Sequence, residues 1–342
     1  MTPATDPIRN PSGTHRIVLK HQESDLSIAR ASRDEHKAAL RDGLAALVAG
    51  PASSPAALRN LQKGDPGLFA FAVLQLLGST EPSQGLKVVA RFVASDDLII
   101  DSLLMSDEIS LPEAGAATSR LNEVDSSFDV RMLRRVFRDF GEVGDIPTPL
   151  ALRLLQILDQ GPNSCSKLTS PLIRFMRHPS EKVRSKSVLL LGRGNHNLRR
   201  TLEYLSSQEA RVRANAVESL WGHQGEDTRR VLVECAQDPN QRVMLNALVG
   251  LCRMGDSKAP IRLITLAASE NPVIRAGAAW GMGQVNRADV VAEFSAALAS
   301  LSQDSDQKVQ NMARKSLEAI ASQAVAGEAP GDTPGCGRLA GA

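Results

Sequence analysis

The chain has 342 residues, 42% of them hydrophobic and only 3% aromatic, with 40 basic and 38 acidic side chains for a net charge of +2. Such a share of apolar residues builds a sizeable core, and with so few aromatics that core is Leu, Val, Ile and Ala, which favours helices over strands. No run of about eighteen apolar residues occurs, the N-terminus lacks the apolar centre of a secretory signal, and Cys165, Cys235, Cys252 and Cys336 never form a C-x-x-C pair, so the sequence reads as a cytoplasmic protein without a membrane span, disulfide framework or zinc site.

In chain order, residues 1–33 are polar with early prolines and read as a disordered tail. GDPGLFAFAVLQLLG, from Gly64, reads as a helix entered by Asp-Pro, with Phe69, Val73 and Leu77 on one face and Gly78 behind them. SDEISLPEAGAATSRLNEVDS, residues 106–126, is polar and small; it reads as a long loop or frayed helix closing an N-terminal unit at 34–126. SFDVRMLRRVFRDFGEVG, from Ser127, and TPLALRLLQILDQG, from Thr148, form a helical pair that opens a regular array at 127–322. Residues 323–342 are rich in Gly, Ala and Pro and read as a second disordered tail.

The array declares itself by repetition. Val183, Val212, Val243, Ile274 and Val309 are spaced by 29, 31, 31 and 35 residues. Four positions on stand Ser187, Ala216, Ala247, Ala278 and Ala313; eight positions on stand Leu191, Leu220, Leu251, Met282 and Leu317. Positions i, i+4 and i+8 share one helix face, and the small middle residue lets a neighbouring helix approach closely. His178-Pro179, Asp238-Pro239 and Asn271-Pro272 precede three of these helices, where Asp or Asn caps orphan amides and Pro suits the first turn. Between the copies lies a second apolar helix, starting at Leu198, Thr228, Ala259 and Asp289. Each pair is a hairpin that buries its faces only by stacking on its neighbours.

The pattern V-R-x-x-A-x-x-x-L, best kept at Val212-Arg213, Ala216 and Leu220, resembles the HEAT-repeat family, including its short bacterial form and the bilin-lyase-type HEAT-like repeats. Ile274-Arg275 and Val183-Arg184 follow it, whereas Met244 and Gln310 replace the arginine. The resemblance covers residues 166–322. It implies an all-α fold, an α-solenoid of about six or seven antiparallel helical hairpins whose second helices line a concave surface. It does not imply an activity.

No catalytic constellation is present. There is no HExxH, GxSxG or GxxxxGK[ST], and Gly192-Arg193-Gly194 and Gly281-Met282-Gly283 lack the third glycine of a dinucleotide loop. His178, His196 and His223 fall near turns and read as solvated surface residues; no metal or cofactor is expected. Iron hydroxylases built on HEAT repeats carry His-Glu dipeptides as ligands, and this sequence has none.

Charge is unevenly spread. Residues 131–213 carry 16 basic and 7 acidic side chains, between two mildly acidic flanks. Arg131, Arg134, Arg135 and Arg138 fall on one helix face, followed by Lys182, Lys186 and Arg211. Such a stripe meets an acidic protein surface or the phosphates of a nucleic acid. Arg184, Arg213 and Arg275 instead hold the repeat's own arginine position and read as structural. Trp280 stands where other copies have Leu189, Glu218, Val249 and Lys315, a mixed set typical of a partly exposed site; it is a candidate hot spot, and Trp221 at a helix end reads as structural. The sequence thus points to a scaffold that binds a partner protein by its concave surface and basic middle. The alternatives are sequence-independent nucleic-acid binding, or an enzyme of the bilin-lyase or DNA-glycosylase kind, which would need a pocket with a carboxylate beside Trp280 or Trp221.

Overall fold

A computed structural model describes residues 23–49, 55–161, 168–193 and 198–327. The described elements are all helical. They run α1 (Glu23–Ala49), α2 (Pro55–Gly64), α3 (Pro66–Ser79), α4 (Gln84–Val93), α5 (Asp97–Met105) and α6 (Leu111–Val124). Then come α7 (Phe128–Phe140), α8 (Thr148–Gln160), α9 (Thr169–Phe175), α10 (Glu181–Arg193), α11 (Leu198–Glu203) and α12 (Ala210–Ser219). The last six are α13 (Glu226–Cys235), α14 (Gln241–Arg253), α15 (Lys258–Ala267), α16 (Pro272–Gly283), α17 (Val291–Leu301) and α18 (Gln307–Gly327).

These helices form one continuous stack of two rows. Helices α1, α3, α6, α8, α10, α12, α14, α16 and α18 each pack on the next, and the others lie behind them. Seven hairpins result, from α2–α3 and α7–α8 to α17–α18, with α4, α5 and α6 making a three-helix unit. The expected solenoid is therefore present, and residues 34–126 continue the same row. Helix α1 begins before residue 34 and α18 extends past residue 322, so the expected tail boundaries shift outward; residues 1–22 and 328–342 lie outside the described residues.

The small middle residue does what its size dictates. Ser187, Ala216, Ala247, Ala278 and Ala313 are all fully buried where consecutive helices of the front row meet. Ala247→Leu is expected to cost about 1–3 kcal/mol by overpacking this crossing, read as a lowered urea midpoint. A second tight crossing follows near the helix ends. A Cβ on Gly192 would strike Ser219, and one on Gly283 would strike Ser316. Where the first partner is large, at Trp221, the facing residue is Gly250. Because this row packs so closely while its backing helices touch each other only lightly, it is the inner, concave row. The expectation that the helices starting at Leu198, Thr228, Ala259 and Asp289 line the concave side is corrected: the helices bearing the V-R pattern do.

Residues 106–126 also differ from expectation. Most of this stretch is α6, with a Ser110–Glu113 capping box and buried Ala114, Gly115, Ala117, Thr118 and Leu121. Its small residues suit tight packing: a Cβ on Gly78 of α3 would meet the α6 backbone at Glu113 at 2.8 Å. Low hydrophobicity here marks close approach rather than a loop.

The V-R arginine ties each inner helix to the turn before it and to the next repeat. Arg213 holds Asp238 with two bonds of 2.9 and 3.1 Å and donates to the Ser207 carbonyl at 2.8 Å. Arg275 does the same with Asp304, twice at 2.7 Å, and with the Ser269 carbonyl at 2.9 Å. Arg184 pairs with Glu209 and with the His178 carbonyl. Gln310 keeps only the carbonyl half, at Asp304. Asp238, expected as a helix cap, is thus the acceptor of this clasp, and Asn240 caps α14 instead. The hydrogen bonds from Arg275 hold the Asp304 carboxyl at about 2, below its ordinary 3.8. A depressed folded-state value means that this stability is complete above the ordinary value and is lost as pH falls through about 2. Asp304→Asn is expected to flatten that part of the acid-unfolding profile, followed by circular dichroism.

Candidate functional site

Met244 stands in place of the clasp arginine on α14. On the next turn Ser269 stands in place of the acid: its hydroxyl accepts the Asn271 N–H, as Asp238 accepts Asn240 and Asp304 accepts Asp306. Both halves of the clasp are missing at one junction, α14–α16. There the inner face opens into a groove of about 650 Å³. Leu245 forms part of its wall from α14, Val273, Ala276, Gly277 and Trp280 from α16, and Met312 from α18.

The local sequence explains the shape. Gly277 lets the Leu245 side chain lie directly against the α16 backbone, where an added Cβ would clash with it. Asn271 caps α16 through the Val273 N–H at 2.9 Å, with Pro272 in the first turn. That start points Val273 outward, where it is 66% exposed. Trp280 is half-buried and its ring lies 6.0 Å from that of Trp221, against which it packs. Arg242, at the groove edge, bonds only the neutral Asn215 at 3.0 Å. Such a surface suits an apolar side chain from a partner.

The residues singled out in the sequence do not come together. Arg131, Arg134, Arg135 and Arg138 lie on α7, in the outer row; Lys182, Lys186, Arg211 and Trp280 lie on the inner row. Much of the basic stretch is neutralised internally. Arg131 pairs with Asp125 at 2.8 Å, Arg135 with Asp101 at 3.0 Å, and Arg138 with Asp97 at 3.0 Å. Lys186 pairs with Asp159 at 2.5 Å, and Arg211 lies 3.8 Å from Glu181. Among the described residues Arg134 and Lys182 are exposed and make no ion pair. Arg134 and Arg138 share an outer-row cleft with Arg174, apart from Lys182, Lys186 and Arg211 on the inner row.

Trp280 lines the groove, and Trp221 donates from its indole N–H to the Asn246 carbonyl at 2.8 Å. Of the two, only Trp221 shares a cleft with a carboxylate, that of Glu218. No acid lines the groove, and Glu218, in the cleft that Trp221 shares, is held by Arg193 at 3.1 Å. His178 is buried, contrary to expectation. Its Nδ1 accepts the Ser180 N–H at 3.0 Å, which leaves Nε2–H to donate to the Ile146 carbonyl at 2.9 Å. His223 is half-buried against the Gly192 carbonyl, and His196 lies outside the described residues. Burial pushes the Cys235 thiol up to about 11 and that of Cys252 to about 12, so neither is a ready nucleophile.

The family of HEAT repeats matches residues 198–269, which span α11 to α15. Residues 198–269 carry HEAT repeats. No curated protein matches it. Among solved structures, human deoxyhypusine hydroxylase in complex with glycerol is similar at a TM-score of 0.32 and 16% identity, over 86% of this chain and 99% of that one. An engineered protein gives 0.31 and 16%, over 84% and 96%. Likenesses of this degree say nothing about activity. The described HEAT array has no three His, Cys, Asp or Glu side chains placed to hold a metal ion, and no helix long and apolar enough to cross a membrane.

Sequence reasoning missed Arg242, Leu245, Val273, Gly277 and Met312. A signal was available. The position before the aligned Val or Ile holds Lys182, Arg211, Arg242 and Lys308 in four copies, and Val273 in the fifth. An apolar residue at an otherwise cationic, solvent-facing position marks the groove.

Proposed function

We propose that this HEAT array is a non-catalytic scaffold that holds a partner protein on its inner face, in the groove between α14, α16 and α18, with Trp280 as the anchor. The observation that carries this reading is the open apolar groove at the one V-R junction that lacks both halves of its clasp. A large apolar side chain kept 66% exposed beside a half-buried Trp is characteristic of a contact surface. The nucleic-acid alternative is disfavoured because much of the basic stretch is spent on internal ion pairs.

Val273→Asp changes a side chain that contributes little to the core, so the variant is expected to melt as the wild type does. It is expected to lose partner capture by at least about tenfold, equivalent to about 1.4 kcal/mol. Reversal of Arg134 and Arg138 to Glu is expected to leave capture intact. Quantitative pull-down from the cell of origin checks both, and loss of capture on the arginine reversal alone would move the contact to the outer row.

A further inference from the structure

The groove's chemistry identifies the class of segment that it takes; this inference rests on the docking reading above. No carboxylate lines the groove, and its one charged lining residue is Arg242, an exposed guanidinium with a neutral partner. The caps of α14 and α16 are the neutral Asn240 and Asn271. Asp238 and Asp304, in the turns that lead into α14 and α18, are each held by two bonds from an arginine, and Glu270, in the turn into α16, does not line the groove. The positive potential of Arg242 is therefore uncompensated next to an apolar floor. A basic segment would meet that charge unpaired, whereas an acidic one would be steered in by it.

The missing clasp adds a second requirement. At the other V-R junctions an arginine bridges consecutive turns, whereas between α14 and α16 Met244 and Ser269 stand at the two clasp positions and no such bridge forms. The groove beside this junction, about 650 Å³ and lined by Leu245, Val273, Trp280 and Met312, has room for a bulky side chain. We propose that the occupant is an acidic peptide segment of a partner protein, which inserts a bulky apolar side chain between α14 and α16 and sets a neighbouring carboxylate on Arg242.

The test is selection of random twelve-residue peptides displayed on phage, with the full chain as bait. Enriched peptides are then synthesised, labelled with fluorescein and titrated by anisotropy. The expected result is enrichment of Asp and Glu around Leu, Phe or Trp. Arg242→Glu should weaken such peptides about tenfold, and Val273→Asp should abolish them. Met244→Arg with Ser269→Asp, which installs the clasp, should weaken them as well. Arg242 and Val273 are both exposed, so their variants are expected to fold, as circular dichroism will verify. Enriched peptides that need Val273 but are neutral or basic would overturn the acidic occupant and leave the docking reading standing. Enriched peptides indifferent to Val273→Asp would overturn both. A fluorescein-labelled single-stranded oligonucleotide that binds the wild type and is released by Arg242→Glu would show that the anion is a nucleic acid, and would overturn the peptide assignment.

Discussion

Gly283→Val is expected to destabilise the C-terminal end of the array by about 3 kcal/mol, at the upper end of ordinary overpacking. A Cβ at this position would stand 2.6 Å from Ser316 Oγ, 2.7 Å from its Cβ and 3.0 Å from its Cα. The last of these is backbone, so rotating a side chain away does not relieve the clash. Nor can α16 and α18 separate freely, because Ala278 and Ala313 are fully buried. The loss should be local, since each repeat of a solenoid contacts only its neighbours; α18 should exchange its amide hydrogens before the rest. Two controls fix the cause. Gly64→Ala, with nothing within 4 Å of the added methyl, should stabilise by about 0.5 kcal/mol through the helical cost of glycine. In a Gly283→Ala background, Ser316→Gly should restore much of the lost stability, because the Trp221–Gly250 crossing already pairs a large residue with a small one. Urea unfolding at 222 nm reads all of these.

Arg213→Ala is expected to cost about 2 kcal/mol. The pair with Asp238 is largely shielded, at 17% and 14% exposure of the two side chains. Removing the arginine strands a carboxylate and leaves the Ser207 and Gln208 carbonyls without their donor. Full burial would make the loss greater; the remaining water access moderates it. Arg213→Lys should recover only part, because an ammonium cannot make the two parallel bonds that the guanidinium makes to Asp238. Equal loss in Arg213→Ala and in Lys182→Ala, an exposed cation with no ion pair, would mean that the clasp contributes nothing.

The hairpin stack was legible because its signals are local. Valine, a small residue and leucine at i, i+4 and i+8 specify a buried helix face whichever neighbours surround it. The arginine of the pattern was also legible as structural. Helix α6 was not, because small and polar residues carry two meanings, loop and close approach, and only the glycine and alanine contacts with α3 and α8 separate them. The pairing of the basic stretch was not legible, for a different reason. A run of arginines is visible in the sequence, but its counter-charges are not: Asp97 and Asp101 lie in α5, distant in the chain from the α7 arginines they neutralise. The groove was hidden because it is made of an absence. Met244 was visible as a replaced arginine, but Ser269 is unremarked until Arg213–Asp238 and Arg275–Asp304 show what its position normally holds. Trp280 was the one groove residue that sequence alone brought forward, because a large aromatic at a position otherwise mixed is conspicuous.

The most direct test of the account is site-specific photocross-linking in the cell of origin. Benzoylphenylalanine would replace Val273 in the inner groove and, in a separate strain, Arg134 on the outer row. The account predicts a discrete cross-linked protein from position 273, absent from position 134 and lost when Trp280→Ala is added. A discrete product from position 134 with none from 273 would contradict it and place the working surface of the array on its other side.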